Sequence, residues 1–157
     1  MTSELDLRGL LAHLHSHEVR FVVIGAVAVG AHGFIRGTDD LDIVPDPDHE
    51  NLMRLSNALV RLDATLPLAN GRAYTPARDE AQLRRGRTVT LETRLGALDV
   101  VQRVPGVPGY AQLRELAIET EMLGVPLLIC SLSHLRAMKE ARGSNLDRAD
   151  LDRLPDE

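Results

Sequence analysis

Asp40 and Asp42 flank Leu41 at the start of a short apolar run, Leu41-Asp42-Ile43-Val44. In an extended strand, residues i and i+2 point to the same face about 6–7 Å apart along the chain. The two carboxylates therefore lie side by side, where they can share or bridge divalent cations. Upstream, Arg20 to Ile24 is a short apolar strand that turns at Gly25 into small residues, Gly25 to Gly33. A glycine turn ahead of a helix offers free backbone N–H groups and a positive dipole end to a phosphate. A phosphate cradle beside paired metal ligands is the minimum equipment for moving a nucleotidyl group. Asp99, in Leu98-Asp99-Val100-Val101, adds a third carboxylate bracketed by apolar residues, where a charge is costly unless paired or metal-bound. Three carboxylates on one strand face would form a two-metal site, one ion activating an attacking hydroxyl and the other clamping a triphosphate. Glu92 lacks so tight an apolar bracket and is the weaker candidate for the third position. Taken alone, the Asp40/Asp42 pair also fits an ordinary solvated strand mouth; Asp99 turns the balance.

The glycine turn is not a P-loop, since no Gly-Lys-Ser/Thr follows, and it lacks the G-x-G-x-x-G of dinucleotide folds. Arg36 and Thr38, just ahead of the aspartate pair, could contact phosphate or base, with loop stabilisation as the competing role. His13 and His17 lie one helical turn apart but lack the third ligand that zinc would want, so surface histidines are expected. His32, in the glycine segment, is expected to tie the helix end to the carboxylate strand. Cys130 is the only cysteine and, after Leu127-Leu128-Ile129, reads as a buried apolar filler.

Several elements must position these residues. Leu5, Leu7, Leu10, Leu11 and Leu14 follow helical spacing, with Ser3 as N-cap. Pro45 and Pro47 stop the second strand, and Pro47 suits the first turn of a helix through Leu52, Leu55, Leu59 and Leu62. Residues 64–86 read as loop with short pieces of structure. Thr88 to Thr93 alternates at period two and pairs as a hairpin with Leu98 to Val101 across a turn at Leu95-Gly96. A short helix from about Ala111, a strand pair broken at Gly124, a strand at 125–130, a helix capped by Ser131 or Ser133, and a last helix near Asn145 follow. These elements predict an α/β (α+β) fold: a mixed, twisted sheet of about five or six strands flanked by helices.

At 157 residues the chain fits one domain, its core at about 18–130 and its C-terminal helices at 131–154. With two Phe, two Tyr and no Trp, aromatic platforms for stacking bases are nearly excluded. A net charge of −5 argues against coating nucleic acid by charge alone, though not against a nucleotide bound through magnesium. No apolar segment of signal-peptide or membrane-spanning type occurs, and a cytoplasmic protein is expected.

The pattern "glycine turn, Ala-rich helix, His-Gly, Arg-x-Thr-x-Asp-φ-Asp", followed by "Thr-x-x-Gly-x-φ-Asp-φ-φ", resembles the minimal nucleotidyltransferases of the DNA polymerase beta-like superfamily. More narrowly it is similar to AbiEii-type and related stand-alone bacterial nucleotidyltransferases. The resemblance spans roughly residues 18–152. Leu132-Ser133-His134-Leu135-Arg136-Ala137-Met138-Lys139 resembles the family's late helix start, and Asp147 and Asp150 fall at its downstream Asp-x-x-Asp spacing. The resemblance implies a nucleotidyltransferase fold and transfer of an NMP group from an NTP, with two Mg2+ ions on Asp40, Asp42 and Asp99. It implies that Gly25, Ala26, Arg36, Thr38 and Lys139 bind the nucleotide, Lys139 as a mobile point charge on the β- or γ-phosphate, while Asp147 and Asp150 line or brace the pocket. Without it, Lys139 reads as a surface residue and Asp147 as a cap.

Relatives' acceptors include RNA (tRNA ends) and partner proteins, some within toxin–antitoxin pairs, and small molecules such as aminoglycosides. Arg72, Arg78, Arg84, Arg85, Arg87 and Arg94 give one segment a basic surplus that RNA could use; a solvated loop and hairpin face explains them equally well. Two departures, Ala26 for a residue that is often Ser or Gly and Ser144 for a common arginine with Arg142 nearby, support the alternative of a catalytically weak, antitoxin-like binding partner. Intact Asp40, Asp42 and Asp99 oppose it.

Overall fold

A computed structural model describes residues 4–33, 37–85, 88–103, 106 and 108–155. The first helix, α1 (Leu7–Ser16), starts where Asp6 accepts a hydrogen bond from the Gly9 amide at 2.9 Å. Asp6 is thus the cap; Ser3 lies outside the described residues. β1 (Phe21–Ile24) is buried throughout and runs directly into α2 (Gly25–Ala31). β2 (Asp40–Pro45), α3 (His49–Arg61), β3 (Thr65–Leu66), a 3-10 turn (Pro67–Ala69), β4 (Arg72–Ala73) and α4 (Pro76–Arg84) follow. The hairpin β5 (Thr88–Thr93) and β6 (Gly96–Val101) precedes α5 (Tyr110–Leu116), a second hairpin of β7 (Ile118–Met122) and β8 (Val125–Ile129), and the closing helices α6 (Leu132–Arg142) and α7 (Asn145–Arg153).

Among the described residues, eight strands form one mixed sheet in the order β4-β3-β5-β6-β2-β1-β8-β7. β2–β6 and β1–β8 are parallel pairs and the others antiparallel. Strand periodicity sorts the residues of β2 and β6. Leu41, Ile43, Leu98 and Val100 are fully buried, while Asp40, Asp42 and Asp99 alternate with them on the opposite face. Leu10, Leu11 and Leu14 of α1 and Leu52, Leu55 and Leu59 of α3 join the same hydrophobic cluster.

The sheet has eight strands where five or six were expected, and two of them, β3 and β4, lie in the stretch read as loop. β3 and β4 are two residues each, too short to show a period. Their neighbour α4 is equally hard to read, because a carboxylate occupies one of its two buried positions. That residue, Asp79, accepts two bonds from the Arg72 guanidinium at 2.8 and 2.6 Å and one from the Thr75 amide at 2.8 Å. The Arg72 bonds hold its carboxyl below the usual carboxylate range. An ion pair thus closes β4 on α4 where leucines close the other helices.

Asn51, fully buried on α3, is a second polar fastening. Its side-chain oxygen accepts from the Arg20 amide at 2.7 Å, and its amide nitrogen donates to the carbonyls of Arg20 (3.0 Å) and Asp46 (2.8 Å). One side chain therefore holds the entry to β1 beside the exit of β2, next to the carboxylate strand. Asn51→Ala leaves these main-chain groups without partners and is expected to cost about 2–3 kcal/mol, read by denaturant unfolding. A loss within a few tenths of a kcal/mol would show that water replaces the clamp.

Candidate functional site

Parallel pairing of β2 with β6 sets Asp42 beside Asp99 and Asp40 beside Ala97. Alternation along β2 then places Asp40 on the same face, and carboxylate oxygens of all three aspartates lie within 4.8 Å of one another. Among the described residues, this is the one group of three His, Cys, Asp or Glu side chains with such spacing. Glu92 sits on β5 opposite Ala97 and Thr65, outside the group.

Three carboxylates so close repel one another when all are ionised. Burial first, then the charges of Asp40 and Asp99 and a hydrogen bond to Asp99, push Asp42 up to about 8, with Arg142 opposing. Asp40 is raised by burial, by the charge of Asp99 and its hydrogen bond, and by Asp39. The Thr38 hydroxyl opposes this rise and donates to the Asp40 carbonyl at 2.9 Å.

The backbone at Gly25 touches this group. Ile24 pairs with Asp42 across the β1–β2 ladder, so the turn into α2 falls against the Asp42 side chain. Gly25 has φ +70°, and a Cβ there would overlap the Asp42 carboxylate. Only glycine meets both demands. No side chain caps α2.

The three aspartates, Gly25, Ala26 and Thr38 line a cleft of about 430 Å³. Its far wall comes from the C-terminal helices through Leu135, Met138, Lys139, Arg142 and Leu146. Lys139 is 4% exposed, and its ammonium lies 3.3 Å from Asp147 and 3.0 Å from Asp150. A mobile point charge was the expectation; the structure holds this one between two fully buried carboxylates. Asp147 and Asp150 are not part of the cleft wall and brace it from behind. Asp147 also accepts from Arg142 at 2.8 and 2.7 Å and from the Ser144 hydroxyl and amide, and these bonds drive its carboxyl far below the usual carboxylate range. Ser144 therefore caps α7 reciprocally with Asp147.

The better exposed cation of the wall is Arg142, fixed by Asp147 yet facing the aspartates closely enough to oppose the rise at Asp42. The sequence raises Arg142 only as a neighbour of Ser144; its place at the end of α6, five residues before Asp147, is the signal that could have found it. Thr88 and Met138 also line the cleft, where the sequence reads one as the start of a strand and the other as part of the late helix start. Arg36 lies outside the described residues. His32 contacts the carbonyl of Cys130 at 2.9 Å, tying the end of α2 to the end of β8 and not to the carboxylate strand. Burial pushes the Cys130 thiol up to about 12.

Among solved structures, this chain is similar to a Thermotoga maritima protein provisionally described as a nucleotidyltransferase. The TM-score is 0.58 over 94% of this chain and 88% of the other, at 15% identity. Likeness at that identity establishes the fold: a mixed α/β nucleotidyltransferase fold. No family model matches the chain, and no curated protein does.

A raised carboxyl pKa means that the folded protein keeps a proton the unfolded chain releases. Stability in chelator is therefore expected to fall as pH rises from about 4 to about 8, the window between the ordinary and raised values for Asp42. Asp42→Asn should flatten that slope and raise Tm at the alkaline end, by about 2–4 °C for each kcal/mol of repulsion relieved. A wild-type melting profile that is flat across this window contradicts the clustering.

Proposed function

We propose that this chain is a metal-dependent nucleotidyltransferase that moves an NMP group from an NTP to an acceptor hydroxyl. The observation that carries the reading is the Asp40, Asp42 and Asp99 cluster in a cleft beside Gly25, within a nucleotidyltransferase fold. The donor set is all carboxylate oxygen, which suits a hard cation such as Mg2+ over softer metals. Asp40 and Asp42 would hold both ions of a pair and Asp99 would complete the site. When bound, the ions neutralise triphosphate charge and acidify the acceptor hydroxyl.

The chain's own groups do the rest. Backbone N–H groups at Gly25 and Ala26 face the phosphates, and Arg142 adds a cation at the opposite wall. Lys139 acts behind it, bridging Asp147 and Asp150 and holding them in place. Asp99 takes the proton of the acceptor hydroxyl as its oxygen bonds to the α-phosphorus. The bond from that phosphorus to the bridging oxygen breaks, and pyrophosphate leaves.

We place the chain with the AbiEii-type group, acting in the cytoplasm as one domain, with a tRNA-like RNA or a partner protein as acceptor in a toxin–antitoxin setting. Support for RNA is thinner than the arginine count suggests, because Arg72 is tied to Asp79 and Arg84 to Glu80. A catalytically weak, antitoxin-like binder is the alternative; it would keep nucleotide binding and lack transfer.

Calorimetry is expected to show NTP binding that depends on Mg2+ and weakens about tenfold or more in Asp42→Asn, one ligand charge being lost. Equal affinity with and without the ion removes the metal from the reading. Labelled NTPs incubated with cell extract should mark an acceptor, and no labelling with any of the four NTPs favours the binder. Arg142→Ala is expected to raise the KM for NTP more than it lowers kcat. Lys139→Ala should instead cost about 3–5 kcal/mol of stability, since it removes the buried cation that bridges Asp147 and Asp150 and leaves Arg142 to hold Asp147. A Lys139→Ala protein as stable as wild type would refute that bracing role.

A further inference from the structure

Among the described residues, β7 closes one side of the sheet and has no strand beyond it. Leu123 and Gly124 both have positive φ, the geometry of a two-residue hairpin turn, so Met122 and Val125 form the first hydrogen-bonded pair. Thr120 and Ile118 then direct their main-chain groups to β8, while Glu119 and Glu121 direct theirs outward. Unlike edges that are blunted by proline, a bulge or lysine, β7 has none of these over its five residues, Ile118-Glu-Thr-Glu-Met122. Its neighbourhood is also apolar. Leu116, Ile118 and Leu123 are 54%, 47% and 52% exposed, three of the seven large hydrophobic residues exposed among those described.

The ribbon has two unlike faces. Ile118, Thr120 and Met122 share one with Val125, Leu127 and Ile129; Glu119 and Glu121 share the other with Pro126 and Leu128. Glu119 lies 3.9 Å from Arg114, both side chains well exposed, and among the described residues no cation lies within 4.0 Å of Glu121. Antiparallel pairing of two copies centred on Thr120 would set Glu119 against Glu121 twice, and like charges directly opposed are destabilising. A second copy of the chain is thus disfavoured as the occupant. Opposite charge at the same positions is favourable.

We propose that the β7 edge binds an extended segment of a partner protein in which lysine or arginine alternates with apolar residues. The segment adds as a ninth strand. Its main chain pairs with Glu119 and Glu121, its basic side chains lie beside their carboxylates, and its apolar side chains extend the face of Ile118 and Met122. The added strand stands four strand spacings from β2, about 19 Å, so docking is separate from the carboxylate cleft and independent of nucleotide transfer.

The test uses the full chain and a short synthetic peptide alternating lysine and valine, followed by amide chemical shifts without nucleotide or metal. Shifts are expected to concentrate on residues 118–122, with saturation below about 1 mM peptide. A peptide of the same composition with its lysines and valines in two blocks should bind at least about tenfold more weakly. Exchanging Glu119 and Glu121 for lysine should cost about tenfold for the lysine peptide and favour a glutamate–valine peptide. Glu121→Pro removes an outward N–H while leaving the β8 pairing in place, and should abolish binding. Should that variant unfold, N-methylation of alternate peptide amides gives the same test without touching the protein. Shifts spread over the acidic surface, equal binding of the block peptide, or indifference to N-methylation would each overturn the proposal. Concentration-dependent dimerisation through β7 would overturn it in favour of self-pairing.

Discussion

Carboxylate oxygens of three half-buried aspartates lie within 4.8 Å of one another, and such a cluster opposes folding wherever no cation or proton neutralises it. The surrounding structure holds the cluster against that repulsion. Parallel pairing of β2 with β6 supplies the register that aligns Asp42 with Asp99. The leucines and isoleucines alternating with these aspartates bury the opposite face, so neither strand can slip by one residue without exposing Leu41, Ile43, Leu98 and Val100. The hydrophobic core on one face of the strands thereby fixes the geometry of a polar cluster on the other.

The opposite wall solves the converse problem with positive charge. Lys139 and Arg142 share Asp147, and Lys139 also holds Asp150. Burying two full carboxylates is tolerable because each has a cation within hydrogen-bonding reach and Asp147 also receives both Ser144 donors. α6 and α7 are therefore fastened by ion pairs where the sheet is fastened by apolar area. One product is a fixed guanidinium that faces the aspartates. Charge of one sign on the strands and the other on the helices gives the cleft its polarity.

An ion pair and a buried amide fasten other elements, the first in place of apolar contacts and the second beside them. Asp79 with Arg72 organises β4 and α4, and Asn51 clamps α3 to two strand ends. At β7 the glutamates are exposed, and Arg114 reaches Glu119 alone at 3.9 Å among the described residues. Glutamates that would repel a second copy leave main-chain groups open to a segment of opposite charge.

Much of the carboxylate site was legible in the sequence because its signals are local. The i, i+2 spacing of Asp40 and Asp42, the glycine ahead of a small-residue helix, and Asp99 among apolar neighbours each follow from the geometry of one strand or turn. Long alternating or helical segments were legible for the same reason. β3, β4 and α4 were not: strands of two residues have no period, and Asp79 stands where a helix would show an apolar residue. The strand register, the order of the sheet and the fate of Lys139 lie beyond local pattern altogether. Helical spacing put Lys139 on a surface or in a pocket; only the folding of α7 back on α6 brings Asp147 and Asp150 to its ammonium and leaves Arg142 at the cleft. Backbone periodicity is written residue by residue, whereas the partner of a buried charge depends on which distant segment returns to it, and that is decided when the elements pack.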